Sequence, residues 1–284
     1  MQDLLTALGL MLLASFCVLC LTVRLTRPLT KRTTTIVGGV CGVAMGGYLF
    51  QLWGKAVLAT VLPFSALVVW GNWFPLAAAF LAGITWTHGY GSKLRRVLFG
   101  MTLFGVSYYS MVEPLMGQPP ECLDIWHSRG ICLQTTRKTC SAAAAATLLS
   151  RYGIAAQESE MADLCLTRDG TTWQGLYRGL KLKTADRDLD VEVFECNVEE
   201  LLKDFEQPAI IFVGLKKEEP HPRSYSEEFG WTPGIRHSVV LLDVMPSGLL
   251  LVADPTVGVE FWTVDDLRIL WLGRGMRLSK RDDH

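Results

Sequence analysis

Long apolar runs fill the first 118 residues and constrain the fold of this chain more than any other feature. Four runs follow one another, at residues 4–21, 36–53, 56–87 and 97–112. Residues 1–118 carry eight Lys or Arg against two acidic residues, mostly in short segments between the runs. A run of about twenty apolar residues is typical of a membrane-spanning helix. The sequence therefore predicts a transmembrane domain over residues 1–118.

Residues 119–284 have the mixed composition of a soluble domain. They hold 19 basic and 26 acidic residues, a net charge of −7, whereas the whole chain has a net charge of −1. This balance gives no sign of a nucleic-acid partner. A segment of about 165 residues is long enough to build its own hydrophobic core. We expect a second domain over residues 119–284.

The number of crossings decides on which side of the membrane that domain lies. The run at 56–87 is too long for one span and barely long enough for two. If it crosses once, the basic segments at 24–32 and 93–96 both face the cytoplasm, as the positive-inside rule requires. If it crosses twice, one basic segment is placed outside. We therefore predict about four spans, an integral membrane protein in contact with the lipid bilayer, and an extracytoplasmic C-terminal domain.

Five cysteines lie in the second domain. Four of them can pair in an oxidising compartment, most simply Cys122 with Cys132 and Cys165 with Cys196, which leaves Cys140 as the odd one. Five free cytoplasmic thiols are the alternative.

The odd cysteine opens a predicted helix. Thr139 is a suitable N-cap, five alanines follow at 142–146, and Gly153 is a natural stop. Cys140 then lies in the first helical turn, where exposed N–H groups lower the pKa of a thiol. Gln134 lies six residues earlier, where its amide can help to stabilise an oxyanion. A small buried cysteine at the start of a core helix is the alternative interpretation.

A thiolate nucleophile needs a base, and the base needs an orienting group. His237 opens the apolar run 237–244, and Asp254 ends the run 249–254. If these two strands pair through the turn at 246–248, the start of one meets the end of the other. His237 and Asp254 then become neighbours.

The soluble domain is predicted to have helices first and strands afterwards. Its helical half contains the Cys140 helix, a short segment at 158–165 and a third helix capped by Thr171 or Thr172. Its second half contains strands within 189–196, 209–215, 237–244, 248–253 and 258–263, with a short helix at 199–205. This order indicates an α+β domain.

The order Gln134, Cys140, His237, Asp254 resembles peptidase family C39. These papain-like domains remove double-glycine leader peptides and are usually fused to bacteriocin-exporting ABC transporters. The resemblance extends over roughly residues 130–275, through segments that are similar to the family's helices, strands and Asp-Pro turn: Cys140 to Gly153, Gly170 to Leu180, Gln207 to Ile211, His237 to Leu241, Asp254-Pro255 and Phe261 to Trp271.

The resemblance implies an α-helical transmembrane region followed by an α+β papain-like cysteine peptidase domain. It implies that Cys140 is the nucleophile, His237 the general base and later the acid, and Asp254 the group that orients the imidazole. Gln134 would be the oxyanion donor. The expected partner is a peptide or protein substrate cut after a small residue such as Gly, and the expected location is a bacterial inner membrane. No metal or other cofactor is needed, and without a P-loop motif no nucleotide is expected.

Two residues depart from the family pattern, and two other functions stay open. Thr139 and Ser141 stand where the family usually has an acidic residue and a glycine. One alternative is a C39-like module that binds peptides without cleaving them. The other is a different Cys-His-Asp acyl transferase or amidase.

Overall fold

The computed structural model describes residues 1–89, 91–203, 205–206 and 208–281, which form two compact units. The first unit is Met1–Met116 and the second is Gly117–His284. Gln207, the first residue of one segment matched above, and the terminal His284 lie outside the described residues.

The first unit is helical. Its helices are α1 (Gln2–Thr26), α2 (Lys31–Gln51), α3 (Val57–Val61), α4 (Leu67–Trp70), α5 (Phe74–His88) and α6 (Lys93–Val112). Gly83 of α5 allows close packing on α1, since a Cβ there would lie 2.8 Å from the Thr22 side chain. Thr26 of α1 and Thr87 of α5 share a hydrogen bond of 2.9 Å.

Three of the four predicted spans correspond to segments that are long and apolar enough to cross a membrane. Within the described residues these are Gln2–Thr26, Lys31–Gln51 and Leu67–His88. The last comprises α4, a short turn and α5, so the apolar run at 56–87 supplies one candidate span. The fourth predicted span, residues 97–112, lies in α6 and is not among the candidates. Basic residues occupy the first turn of α6, and hydroxyl-bearing side chains follow further along it.

The second unit begins with a two-stranded hairpin and three helices. The hairpin pairs β1 (Trp126–His127) with β2 (Ile131–Cys132). The helices are α7 (Cys140–Arg151), α8 (Glu158–Leu164) and α9 (Trp173–Lys183). Thr172 caps α9 by accepting a hydrogen bond from the Gly175 N–H, as the sequence predicts.

The rest of this unit is a six-stranded antiparallel sheet with three short helices. In chain order the elements are β3 (Leu189–Glu195), α10 (Val198–Lys203), β4 (Ala209–Val213), α11 (Arg223–Glu227), β5 (His237–Val244), β6 (Leu250–Asp254), β7 (Gly258–Trp262), α12 (Val264–Leu270) and β8 (Trp271–Lys280). The strand order is β3-β8-β4-β5-β6-β7. The predicted α+β arrangement of helices followed by a sheet is confirmed.

Both faces of this sheet are covered by apolar side chains. On one face, the buried alanines of α7 allow its backbone to approach β4 and β5 closely. On the other face, α10, α11 and α12 contribute Leu201, Tyr225 and Leu267 to a core with Val239 and Trp262. The strands that carry position 237 and position 254 are therefore held inside a packed layer.

The predicted disulfides are not present. All eight cysteines lie within the described residues, and none of them forms a disulfide. Cys165 is fully buried beside Gly179 of α9, whereas Cys196 lines a cavity with Phe194 and Phe205. The pairing of Cys165 with Cys196 is wrong because the fold places the two thiols in different surroundings. The disulfide argument for an oxidising compartment is therefore removed.

Candidate active site

Cys140 is the first residue of α7. Thr139 precedes it as the predicted N-cap, but its hydroxyl does not cap the helix. Instead Thr139 Oγ1 donates to the Thr136 carbonyl at 2.9 Å and accepts from the Thr136 N–H at 3.1 Å. This hydrogen bonding fixes the loop before α7 and leaves the first-turn N–H groups of the helix free of a side-chain cap. Gly153, with φ of +68°, ends the helix as predicted.

His237 and Asp254 meet as the strand pairing predicts. β5 and β6 are antiparallel neighbours, with Val240 opposite Ala253. His237 Nε2 lies 3.0 Å from Asp254 Oδ1, and the Thr256 N–H donates to the same oxygen at 2.6 Å. Asp254 is only 5% exposed. A buried, hydrogen-bonded carboxylate fixes both the orientation and the tautomer of the imidazole.

The imidazole also contacts the thiol of Cys140, which is hydrogen-bonded to the His237 side chain. Because Nε2 faces Asp254, Nδ1 is the ring nitrogen left for the sulfur. The imidazole of His237 therefore lies between the thiol of Cys140 and the carboxylate of Asp254.

The pKa shifts of these groups favour an ion pair. Burial raises the pKa of the Cys140 thiol, but the hydrogen bond and the positive charge of His237 outweigh burial and bring it below its ordinary value. Burial lowers the pKa of His237, whereas Asp254 and Cys140 together raise it to about 10. Burial also raises the pKa of Asp254, yet the hydrogen bond and charge of His237 hold it below its usual range. All three shifts favour a thiolate and an imidazolium beside an ionised carboxylate.

Gln134 lies beside this group. Its backbone N–H donates to the carbonyl of Pro255, the residue after Asp254, at 2.8 Å. Its side-chain Oε1 is buried and has no hydrogen-bond partner among the described residues. A 180° rotation of the amide exchanges Oε1 and Nε2, so this unpaired position can hold the N–H donor. A buried amide position without an internal partner is available to a ligand.

Two features of this site were missed from the sequence. Trp231, in the charged loop 216–232, packs edge-to-face on His237 with the ring centroids 5.9 Å apart. Glu158, at the start of α8, is fully buried and accepts from the Thr135 N–H at 2.6 Å and from the Thr135 hydroxyl at 2.5 Å. Glu158 thereby holds the residue next to Gln134. A glutamate in the first turn of a short helix is typical of an ordinary helix start, so the sequence does not predict this contact.

The Glu158 contact has a measurable consequence for stability. We expect Glu158→Gln to lower the free energy of unfolding of the second unit by about 1–3 kcal/mol, because a buried charge-assisted hydrogen bond is lost. Urea unfolding of the full chain, followed by tryptophan fluorescence, measures this difference.

Glu160→Gln is the matched control on the same helix. Glu160 pairs with Lys183 at 2.8 Å but is 43% exposed. We expect its replacement to cost less than about 1 kcal/mol. Equal losses for the two variants would contradict the role given to Glu158.

Two of the other described histidines have their partners outside this group. His221 contacts the Glu219 carbonyl and the Ser226 hydroxyl, and His88 in the first unit contacts the Thr26 carbonyl. His127 of β1 lies nearer, since a Cβ on Gly258, the residue paired with Asp254, would be 3.7 Å from its ring. Within the described part of the chain, no cluster of three or more His, Cys, Asp or Glu side chains is placed to hold a metal ion.

The chain was compared with known families and structures. The Peptidase C39 family model matches residues 128–221, which include Gln134 and Cys140 but end before β5. His237 and Asp254 are therefore brought to the site by the fold, outside the matched segment. No curated protein matches the chain in sequence.

Three solved structures are similar to part of the chain. A double glycine motif protease from an AMS/PCAT transporter, in complex with its leader peptide, is 16% identical with a TM-score of 0.40 and covers 57% of this chain and 94% of its own. The peptidase domain of Streptococcus ComA, a bifunctional ABC transporter involved in a quorum sensing pathway, is 18% identical with a TM-score of 0.41, over 52% and 96%. The peptidase domain of Streptococcus mutans ComA is 17% identical with a TM-score of 0.36, over 53% and 98%.

The family match coincides with the loop and helix that carry Gln134 and Cys140, and the α+β fold around them is the one that the resemblance implied. The C-terminal unit of this chain therefore contains the segment that matches the Peptidase C39 family model, and it follows helices that are apolar enough to span a membrane.

Proposed function

We propose that this chain is a membrane-anchored cysteine peptidase that hydrolyses a peptide bond through a thioester on Cys140. Residues 1–118 are its membrane anchor and residues 119–284 its peptidase domain. One observation carries the proposal: the imidazole of His237 lies between the thiol of Cys140 and the carboxylate of Asp254 and is a hydrogen-bond partner of both.

The acylation step uses the charges already present in the site. The Cys140 thiolate attacks the carbonyl carbon of the scissile bond, a C–S bond forms, and the carbonyl electron pair moves to oxygen. The His237 imidazolium then donates its Nδ1 proton to the departing amine as the C–N bond breaks. The products of this step are a thioester on Cys140 and a peptide with a free amino terminus.

The deacylation step reverses the role of His237. The neutral imidazole removes a proton from water, and the resulting hydroxide attacks the thioester carbonyl. The C–S bond breaks, the carboxylic acid product leaves, and the thiolate is restored beside the imidazolium. Throughout both steps, Asp254 holds the ring through Nε2 and stabilises its positive charge.

Gln134 is proposed to donate its side-chain N–H to the oxyanion. We expect Gln134→Ala to lower kcat for peptide cleavage by about 100-fold, a typical loss for one oxyanion donor. Alkylation of Cys140 by iodoacetamide forms no oxyanion and should keep its rate in this variant. Peptide cleavage and peptide mass spectrometry of the alkylated protein measure the two rates.

Equal losses in cleavage and in alkylation would contradict the role of Gln134, because they would show damage to the thiolate itself. Thr136→Ala, two residues further along the same loop, is the control for loss of loop structure. Its hydroxyl contacts Thr139 and Lys138 rather than the thiol.

The proposed substrate is a peptide or protein with a small residue before the cut. One similar solved structure is described as a double glycine motif protease bound to a leader peptide. A Gly-Gly sequence before the scissile bond is therefore the first substrate to test. Incubation of the full chain in detergent with synthetic Gly-Gly peptides, followed by mass spectrometry of the products, tests the proposed function. New termini on both sides of one peptide bond support it. Binding without cleavage would favour a peptide-binding module, and release of ammonia or crosslinked product would favour another acyl transferase; either result would overturn it.

We also propose that α6 crosses the bilayer and places the peptidase domain outside the cytoplasm of a bacterial inner membrane. With its 20 residues, α6 is about 30 Å long, the thickness of the hydrocarbon core. Lys93, Arg95 and Arg96 at its start can extend to the cytoplasmic interface, on the same side as Arg27 and Lys31.

Paired reporter fusions test this orientation. Alkaline phosphatase fused after residue 118 is expected to be active, whereas the same enzyme fused after residue 92 is expected to be inactive. Green fluorescent protein at the two positions should show the reverse. Cytoplasmic signals at both positions would contradict a crossing by α6.

A further inference from the structure

The residues that follow Cys140 and His237 are both serines, and their side chains meet. Ser141 Oγ lies 2.8 Å from Ser238 Oγ. Both residues are buried, at 5% and 3% exposure. This contact joins the first turn of α7 to the first residues of β5, next to the residues that carry the thiol and the imidazole.

The two serines directly follow the residues that carry the reacting groups. Ser141 comes after Cys140 in α7, and Ser238 comes after His237 in β5. Their hydrogen bond therefore ties the start of the helix that carries the thiol to the start of the strand that carries the imidazole.

We propose that Ser141 and Ser238 are positioning residues that hold the thiol of Cys140 within reach of the imidazole of His237 through the hydrogen bond between their hydroxyls. This inference rests on the proposed function, in which Cys140 and His237 act together. The other titratable groups near the imidazole are Asp254 and Glu260 of β7, and neither serine substitution alters them.

The pH dependence of Cys140 alkylation tests the serine pair directly. The full-length protein in detergent is treated with iodoacetamide at a series of pH values. The modified tryptic peptide from Thr139 to Arg151, which contains Cys140 as its only cysteine, is then quantified by mass spectrometry. In Ser141→Ala we expect the midpoint of the profile to rise by about one pH unit, because a looser contact with the imidazole favours the thiolate less. In Ser238→Ala the midpoint should rise by a similar amount, because this substitution breaks the same hydrogen bond.

The double variant distinguishes one shared hydrogen bond from two independent contacts. If the two serines act through the bond between them, Ser141→Ala combined with Ser238→Ala should have the same midpoint as either single variant. Ser150→Ala is the matched control, since Ser150 is on the same helix and donates to the Thr147 carbonyl at 2.7 Å. Its profile should equal that of the wild type.

An unchanged profile in Ser141→Ala would overturn the proposal, even if the melting temperature fell, because the pair would then be only structural. Additive shifts in the double variant would also overturn it, because the two hydroxyls would then act independently. Alkylation needs no peptide substrate, so these results stand apart from the test of peptide cleavage. If the alkylation midpoints shift as expected but the protein cleaves no peptide, the proposed function is refuted and this inference stays intact.

Discussion

Cys140→Ala is expected to reduce cleavage of a Gly-Gly peptide by at least about 10⁴-fold, because no other group in the site can form the thioester. The variant should fold normally. Cys140 is a small side chain at the start of α7, and alanine is the residue with the highest helix propensity. The initial rate of product formation, with mass spectrometry of the products, measures the loss, and the melting temperature verifies the fold.

Cys196→Ala is the matched control for that experiment. Cys196 also belongs to the second unit, but it lines a separate cavity with Phe194 and Phe205. Its removal should leave the cleavage rate within about twofold of the wild type, as for most substitutions away from a site. An active Cys140→Ala protein would remove the basis of the whole mechanism.

His237→Ala should lower kcat/KM by about 10³-fold, through the loss of both the imidazolium that ionises the thiol and the acid that protonates the departing amine. Without its charge, burial dominates and the pKa of Cys140 rises. The wild type should show a bell-shaped profile of kcat/KM against pH. Activity rises as the thiol ionises, below its ordinary pKa of 9.0, and falls as His237 loses its proton at about 10.

His221→Ala provides the comparison for the histidine experiment. Its ring contacts Glu219 and Ser226 in the charged loop. We expect its pH profile to keep both limbs of the wild-type curve. A wild-type curve that keeps rising well above pH 10, or a His237→Ala variant with normal activity at pH 7, would contradict the ion pair.

The sequence predicted the arrangement of this site well where periodic pattern and turn chemistry act locally. The run from His237 to Val244 became β5 with the predicted bounds, and the turn at 246–248 joins it to β6. Because antiparallel pairing fixes which strand ends meet, the proximity of His237 and Asp254 followed from two apolar runs and one turn. Thr172 likewise capped α9 as its position suggested.

Contacts between residues far apart in the sequence were harder to predict. β8 lies between β3 and β4, yet its sequence has two glycines and three basic residues and was not predicted as a strand. Position 275 needs glycine because neighbouring groups approach its Cα closely. A Cβ there would lie 2.3 Å from the Phe194 ring and 2.7 Å from the Ile210 carbonyl oxygen. No local pattern reveals a residue chosen for such a contact.

The polar contacts around the site were hidden for the same reason. Glu158 meets Thr135 across 23 residues, and Ser141 meets Ser238 across 97. Each of these side chains has an ordinary local explanation as a helix-start or strand residue. Only the packing of α7 on β5, and of α8 beside the loop before α7, gives them a partner.

The central claim is that Cys140 is ionised at neutral pH by its contact with His237. The rate of Cys140 alkylation by iodoacetamide between pH 5 and pH 10, in the full chain and in His237→Ala, tests it most directly. The wild type should already react at close to its maximal rate at pH 7, and the variant only at higher pH. A wild-type rate that first rises near pH 9, like that of an ordinary thiol, would contradict the ion pair and the mechanism built on it.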